Sequence, residues 1–93
     1  MGWIEILMED ILRLAKEKGS PPTVEDVMRD SGVTREEVKE AVKELKKKGL
    51  ATMGENGIVL TEKGEKMADI IYIFLLKASP FRVGRRSVRE ARH

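Results

Sequence analysis

The hydrophobic pattern of this chain changes period once and then changes back, which limits it to a helical body carrying one small hairpin. Up to Lys48 the apolar residues recur every three or four positions. They are then followed by two short strand-like runs, Leu50-Ala51-Thr52-Met53 and Ile58-Val59-Leu60-Thr61. Between these runs stands Gly54-Glu55-Asn56-Gly57, and Asn-Gly is among the strongest hairpin signals because both positions tolerate positive φ. From Thr61 onward the helical period returns.

Three helices are expected before the hairpin. The first runs from about Trp3 to Lys18, with Ile4, Leu7, Met8, Ile11, Leu12 and Ala15 at helical spacing. Gly19 ends it, and Ser20-Pro21-Pro22 cannot continue a helix. Thr23 is the expected N-cap of a short second helix that turns Val24, Val27 and Met28 inward and carries Glu25 and Asp26 in its acidic first turn. Asp30-Ser31-Gly32 stops that helix. Thr34-Arg35-Glu36-Glu37 then reads as a capping box, with Val33 and Val38 as its hydrophobic staple. The third helix buries Val38, Ala41, Val42 and Leu45, and Lys46-Lys47-Lys48 and Gly49 close it.

A fourth helix is expected from Thr61 to Leu76. Its second half is apolar nearly all round, and Ile70, Ile73, Phe74 and Leu76 cannot all face one small core. A homodimer is therefore expected, formed by those four residues and Trp3, with Tyr72 at its edge. Helix, helix, turn, helix, hairpin, helix describes a mainly α winged helix-turn-helix: a three-helix core, a two-stranded wing and a C-terminal dimerisation helix. The winged-helix domain is expected to span residues 1–78, including the last helix from about 61, and a basic tail occupies 79–93.

Composition removes several classes. Ninety-three residues suit one small domain, and 41% apolar residues with only 4% aromatic imply a core of Leu, Ile, Val, Met and Ala. The longest apolar run, Ile70 to Leu76, is far short of the roughly 20 residues that span a bilayer, and no secretory signal opens the chain. A soluble, cytoplasmic protein without membrane contact is the expectation. With no cysteine there is no disulfide, thiolate metal site or cysteine nucleophile. The absence of Gln, with a single Asn beside abundant Lys and Glu, leans toward a thermophile-like composition.

The net charge of +2 hides an uneven distribution. Residues 1–80 carry 13 basic against 15 acidic side chains, whereas residues 81–93 carry five arginines against Glu90 alone. The tail is therefore the strongest electrostatic candidate for nucleic acid, with Arg82, Arg85 and Arg86 foremost. It equally suits a solubilising extension or a segment facing the acidic body.

The stretch Glu5 to Ile71 resembles the DNA-binding domain of the iron- and manganese-dependent repressors, the diphtheria-toxin-repressor-like group. The residues that carry the resemblance are Leu12-Arg13-Leu14, the junction Val27 to Thr34, Val42-Lys43-Glu44-Leu45-Lys46-Lys47-Lys48-Gly49-Leu50, and Leu60-Thr61-Glu62-Lys63-Gly64-Glu65-Lys66-Met67-Ala68. The last two segments are also shared by multiple-antibiotic-resistance-type, PadR-type and archaeal Sso10a-like winged helices. The resemblance implies a transcription regulator that binds operator DNA as a dimer. It does not extend to metal sensing: the matching positions hold Ile6, Glu9 and, where a histidine is expected, Leu75. No metal or other cofactor is expected, since a transition-metal site needs several converging ligands.

Double-stranded DNA is thus the expected partner. Ser31 and Thr34 lie at the helix-turn junction, with Thr34 and the helix N-terminus placed to meet phosphate. Arg35, Lys39 and Lys43 follow on one row of the third helix, where they meet phosphates and base edges, and Glu36 is placed to accept from a cytosine amine. Lys63 is the base nearest the wing. The same residues also describe a solvent-exposed helix laced by pairs such as Glu44 with Lys48, and Glu36, Glu37 and Glu40 repel phosphate. A protein-interaction module or a small chromatin-associated protein therefore remains open beside the regulator. Catalysis has little footing, because the single histidine is His93 and no serine has an evident base partner.

Overall fold

Thr23 and Thr34 each start a helix by the exchange their neighbours predict. The Asp26 amide donates to Thr23 Oγ1 at 3.0 Å, and the Thr23 amide donates to Asp26 Oδ2 at 3.0 Å. The Glu37 amide donates to Thr34 Oγ1 at 3.2 Å, and the Thr34 amide donates to Glu37 Oε1 at 2.8 Å. Each pair satisfies two amides that the helix itself leaves without partners. The computed structural model describes residues 2–78, and side chains as far as Phe74. Its elements are α1 (Trp3–Lys18), α2 (Val24–Ser31), α3 (Arg35–Lys47), β1 (Ala51–Gly54), β2 (Gly57–Leu60) and α4 (Glu62–Ala78). This is a helical core with a small antiparallel wing.

The core draws on every element. Leu7, Met8, Ile11 and Leu12 of α1 meet Val27 of α2 and Val38, Ala41, Val42 and Leu45 of α3, with Leu50, Ala51, Ile58 and Ala68 closing the remaining sides. Val33 is partly buried against the same core that holds Val38, at the two positions expected of the staple. At the edge between α1 and α2, the largely buried Arg13 side chain reaches Asp30 at 2.7 Å, Glu17 at 3.0 Å and Asp10 at 3.7 Å. Desolvation opposes its charge, but the hydrogen bond to Asp30 and the charges of Glu17 and Asp30 outweigh that penalty and hold the guanidinium above its usual pKa.

The wing pairs Ala51 with Leu60, Thr52 with Val59, Met53 with Ile58 and Gly54 with Gly57. The register is the one the expected runs imply, with the boundary of each strand one residue nearer the turn, so that Glu55-Asn56 form the loop. Asn56 does not take positive φ; Gly57 alone does, at 138°. The reason is tertiary: the Ile58 amide donates to the Pro22 carbonyl at 2.8 Å, and a Cβ on Gly57 would stand 2.6 Å from that oxygen. The loop before α2 thus acts as a backbone staple for the wing, and only glycine permits the approach.

Thr61 joins the wing to α4. Its hydroxyl donates to the Gly49 carbonyl at 2.6 Å and accepts the Gly64 amide at 3.0 Å, so one side chain ties the end of α3 to the first turn of α4. The helix then lies beside α1, where Lys16 pairs with Asp69 at 2.6 Å. Among the described residues no helix is long and apolar enough to cross a membrane.

Candidate nucleic-acid interface

One side of α3 supplies the core and the other is open. Val38, Ala41, Val42 and Leu45 are buried, while Lys39, Lys43, Lys46 and Lys47 on the opposite side are all exposed. Between residues 39 and 48, five lysines stand against Glu40 and Glu44. Lys47 lies 3.5 Å from Glu44, and this contact forms in place of the expected pair between Glu44 and Lys48. Lys48 is the C-cap residue, one step beyond the helical repeat, and its carbonyl accepts a hydrogen bond from Lys63 Nζ at 3.3 Å. Among the described residues Lys39, Lys43 and Lys46 form no ion pair.

The front of α3 is different. Arg35 is held by Glu25 of α2 at 2.6 Å, and the hydrogen bond and charge of Arg35 keep the Glu25 carboxyl below its usual pKa. Thr34 is engaged in its capping box, and its hydroxyl also lies 3.2 Å from Glu37 Oε1. Ser31 donates to Asp10 Oδ2 at 3.3 Å, against α1. Glu36 and Glu40 are exposed beside them. The residues expected to read DNA at the junction thus each have a partner within the protein, although Thr34 and Arg35 stay exposed, and the lysines without an ion pair lie further along α3. The pairing of Arg35 is testable by an NMR titration of the carboxyl carbons: Glu25 is expected to titrate below the usual carboxylate range, and Arg35→Ala to move its midpoint upward.

The wing brings no basic residue of its own. Its exposed surface consists of Thr52, Met53, Glu55, Asn56 and Val59, and Lys63 is turned to the Lys48 carbonyl instead.

The expected dimer residues divide between two sites. Ile70, Ile73 and Phe74 are 63%, 52% and 67% exposed on α4, in company with Met67. Trp3, also 52% exposed, shares its row of α1 with Ile6, Asp10 and Arg13. That row faces α2 through Arg13 and Asp30, whereas α4 lies along the side marked by Lys16. Trp3 and the α4 residues thus occupy different sides of α1. The Leu76 side chain and Arg82, Arg85 and Arg86 fall outside the described residues.

Two features are harder to see from sequence. Asp10, Arg13 and Glu17 at helical spacing signal a local ion pair, but Asp30 joins them only through the packing of α2 on α1. Lys46 also contributes to the open cationic side without being among the expected DNA-binding residues, although its spacing from Lys39 and Lys43 displays it. Among the described residues no cluster of three or more His, Cys, Asp or Glu is arranged to hold a metal. No family model matches the chain, and no curated protein matches it significantly.

Proposed function

We propose that this chain is a winged-helix protein that binds double-stranded DNA through α3, acting in the cytoplasm as a transcriptional regulator or a small chromatin-associated factor. The observation that carries this reading is the exposed outer surface of α3, where Lys39, Lys43, Lys46 and Lys47 stand clear of the side that holds the helix on the core, beside the exposed Glu36 and Glu40. A helix in the second position of a helix-turn-helix pair, free along its outer side, has the form that enters a major groove. The resemblance of residues 5–71 to the iron- and manganese-dependent repressors supports the same function, without their metal dependence.

Two copies are proposed to act together, with Met67, Ile70, Ile73 and Phe74 of α4 covered by a second chain. Those side chains form a contiguous exposed apolar strip, which a small monomer seldom leaves uncovered. Sedimentation checks this. Phe74→Glu, an exposed position, is expected to leave the helical content intact and convert dimer to monomer; a monomeric unmodified chain contradicts the proposal.

Binding to duplex DNA, followed by fluorescence anisotropy at increasing salt, tests the main reading. Binding is expected at low ionic strength, weakening linearly on a log-log plot as salt rises. Absence of binding at low salt sinks it. The competing reading, a protein-interaction module, is favoured by the exposed Glu36 and Glu40 of α3 and by a wing whose exposed surface holds Met53 and Val59 but no cation.

A further inference from the structure

We propose that the protein grips the phosphate backbone with the lysines of α3 from Lys39 onward, extended by Lys63 between the acidic Glu62 and Glu65 of α4, and leaves the bases almost unread. This rests on the DNA-binding reading above and specifies its contact surface. At the front of α3, where base contacts are ordinarily made, Arg35 is held by Glu25 at 2.6 Å and Thr34 is tied into its cap. Ser31 is turned toward Asp10. Arginine is the commonest base reader because its fork matches guanine bidentately, and α3 holds no other arginine.

What α3 does present to a polyanion is lysine. Lys39, Lys43, Lys46 and Lys47 share one exposed side, and the contact between Lys63 Nζ and the Lys48 carbonyl brings the first turn of α4 to the end of that surface. Lysine ammonium groups are compact point charges that meet phosphate in many orientations and carry little shape information. The exposed carboxylate at Glu36 further disfavours deep entry of the front of the helix, and Glu40, on the row of Lys47, lies among the lysines themselves. The resulting contact is electrostatic, salt-dependent and tolerant of sequence, as suits a protein that coats or bridges DNA.

Binding of the full chain to two duplexes of unrelated sequence and equal length, each across a salt series, decides the matter. The combined variant Lys43→Ala, Lys46→Ala, Lys47→Ala is compared with Arg35→Ala, and circular dichroism confirms that both remain folded. The unmodified chain is expected to bind the two duplexes within about threefold of one another, against the roughly thousandfold or greater preference of a specific reader. The triple variant is expected to lose about three units of salt slope and more than tenfold in affinity on both duplexes alike, while Arg35→Ala changes affinity less than about twofold. A preference above about a hundredfold for one duplex, or a triple variant with undiminished slope, overturns the inference and leaves DNA binding intact. Failure of the unmodified chain to bind either duplex at low salt overturns both.

Discussion

Gly64→Ala is expected to lower the melting temperature by roughly 12 to 24 °C, for a loss of about 3 kcal/mol in a domain of this size. Glycine to alanine in the body of a helix ordinarily stabilises by up to about 1 kcal/mol. Here the sign reverses because a Cβ on Gly64 would overlap the Leu50 carbonyl oxygen and crowd its carbon and Cα. The obstacle is backbone, not the end of a flexible side chain, so relief requires α4 to move away from the turn that joins α3 to β1. Such a shift strains the Thr61 contacts to Gly49 and Gly64 and lifts the buried Ala68 off the core. Gly19→Ala provides the comparison. Gly19 has φ of 72°, but a Cβ there would meet no heavy atom within 4 Å, so its cost is the left-handed conformation alone, about 1 to 2 kcal/mol. Thermal unfolding followed by circular dichroism reads both, and a Gly64→Ala chain as stable as the original contradicts the close approach of α4 to Leu50.

Leu45→Ala is the second large effect. Leu45 is fully buried where α3 meets the strand side of the core, among Val38, Ala41, Val42 and Leu50. Removing its branched end costs about 2 to 5 kcal/mol, the spread reflecting how far neighbours collapse into the space. Since small domains have only about 5 kcal/mol or a little more in total, this change removes a large share of the stability and is expected to move the denaturation midpoint far down. Lys46→Ala on the neighbouring exposed position should stay within about 0.5 kcal/mol of the original. Denaturant unfolding separates the two, and equal midpoints contradict the assigned orientation of α3.

The element order is readable from sequence because local signals agree with one another. Thr23 and Thr34 are helix starts by chemistry that involves only the next three residues, and the Val38, Ala41, Val42, Leu45 spacing alone assigns the inner side of α3. The turn of the wing is less readable for a tertiary reason. The loop at Gly54 to Gly57 is where the runs place it, but Asn56 does not take the positive φ on which the Asn-Gly signal rests, and nothing local reveals that the Ile58 amide meets the Pro22 carbonyl beside Gly57. The candidate site is legible as a set of charges and not as an arrangement. Nothing local reveals that Arg35 meets Glu25 across the helix pair, or that Ser31 meets Asp10 across α1 and α2. These pairings depend on the angle at which the helices cross, and they leave the cations without an ion pair further along α3, from Lys39 onward, beside an exposed front whose arginine is paired.

The same redistribution links fold to function. A helix whose first turn is acidic and whose last turn is basic complements its own macrodipole, so the charge order of α3 stabilises the helix before it serves any partner. Exposed lysines left without ion pairs among the described residues, at Lys39, Lys43 and Lys46, are what remains for an outside anion.

The most direct test of α3 as the DNA-facing helix is a residue-by-residue map of amide chemical shifts in the isotopically labelled chain, recorded as duplex DNA is added at low salt. The shifts are expected to concentrate on residues 39–48 and around Lys63, and to vanish on return to high salt. Shifts confined to the wing or to the apolar strip of α4, with α3 unchanged at every DNA concentration, would contradict that role.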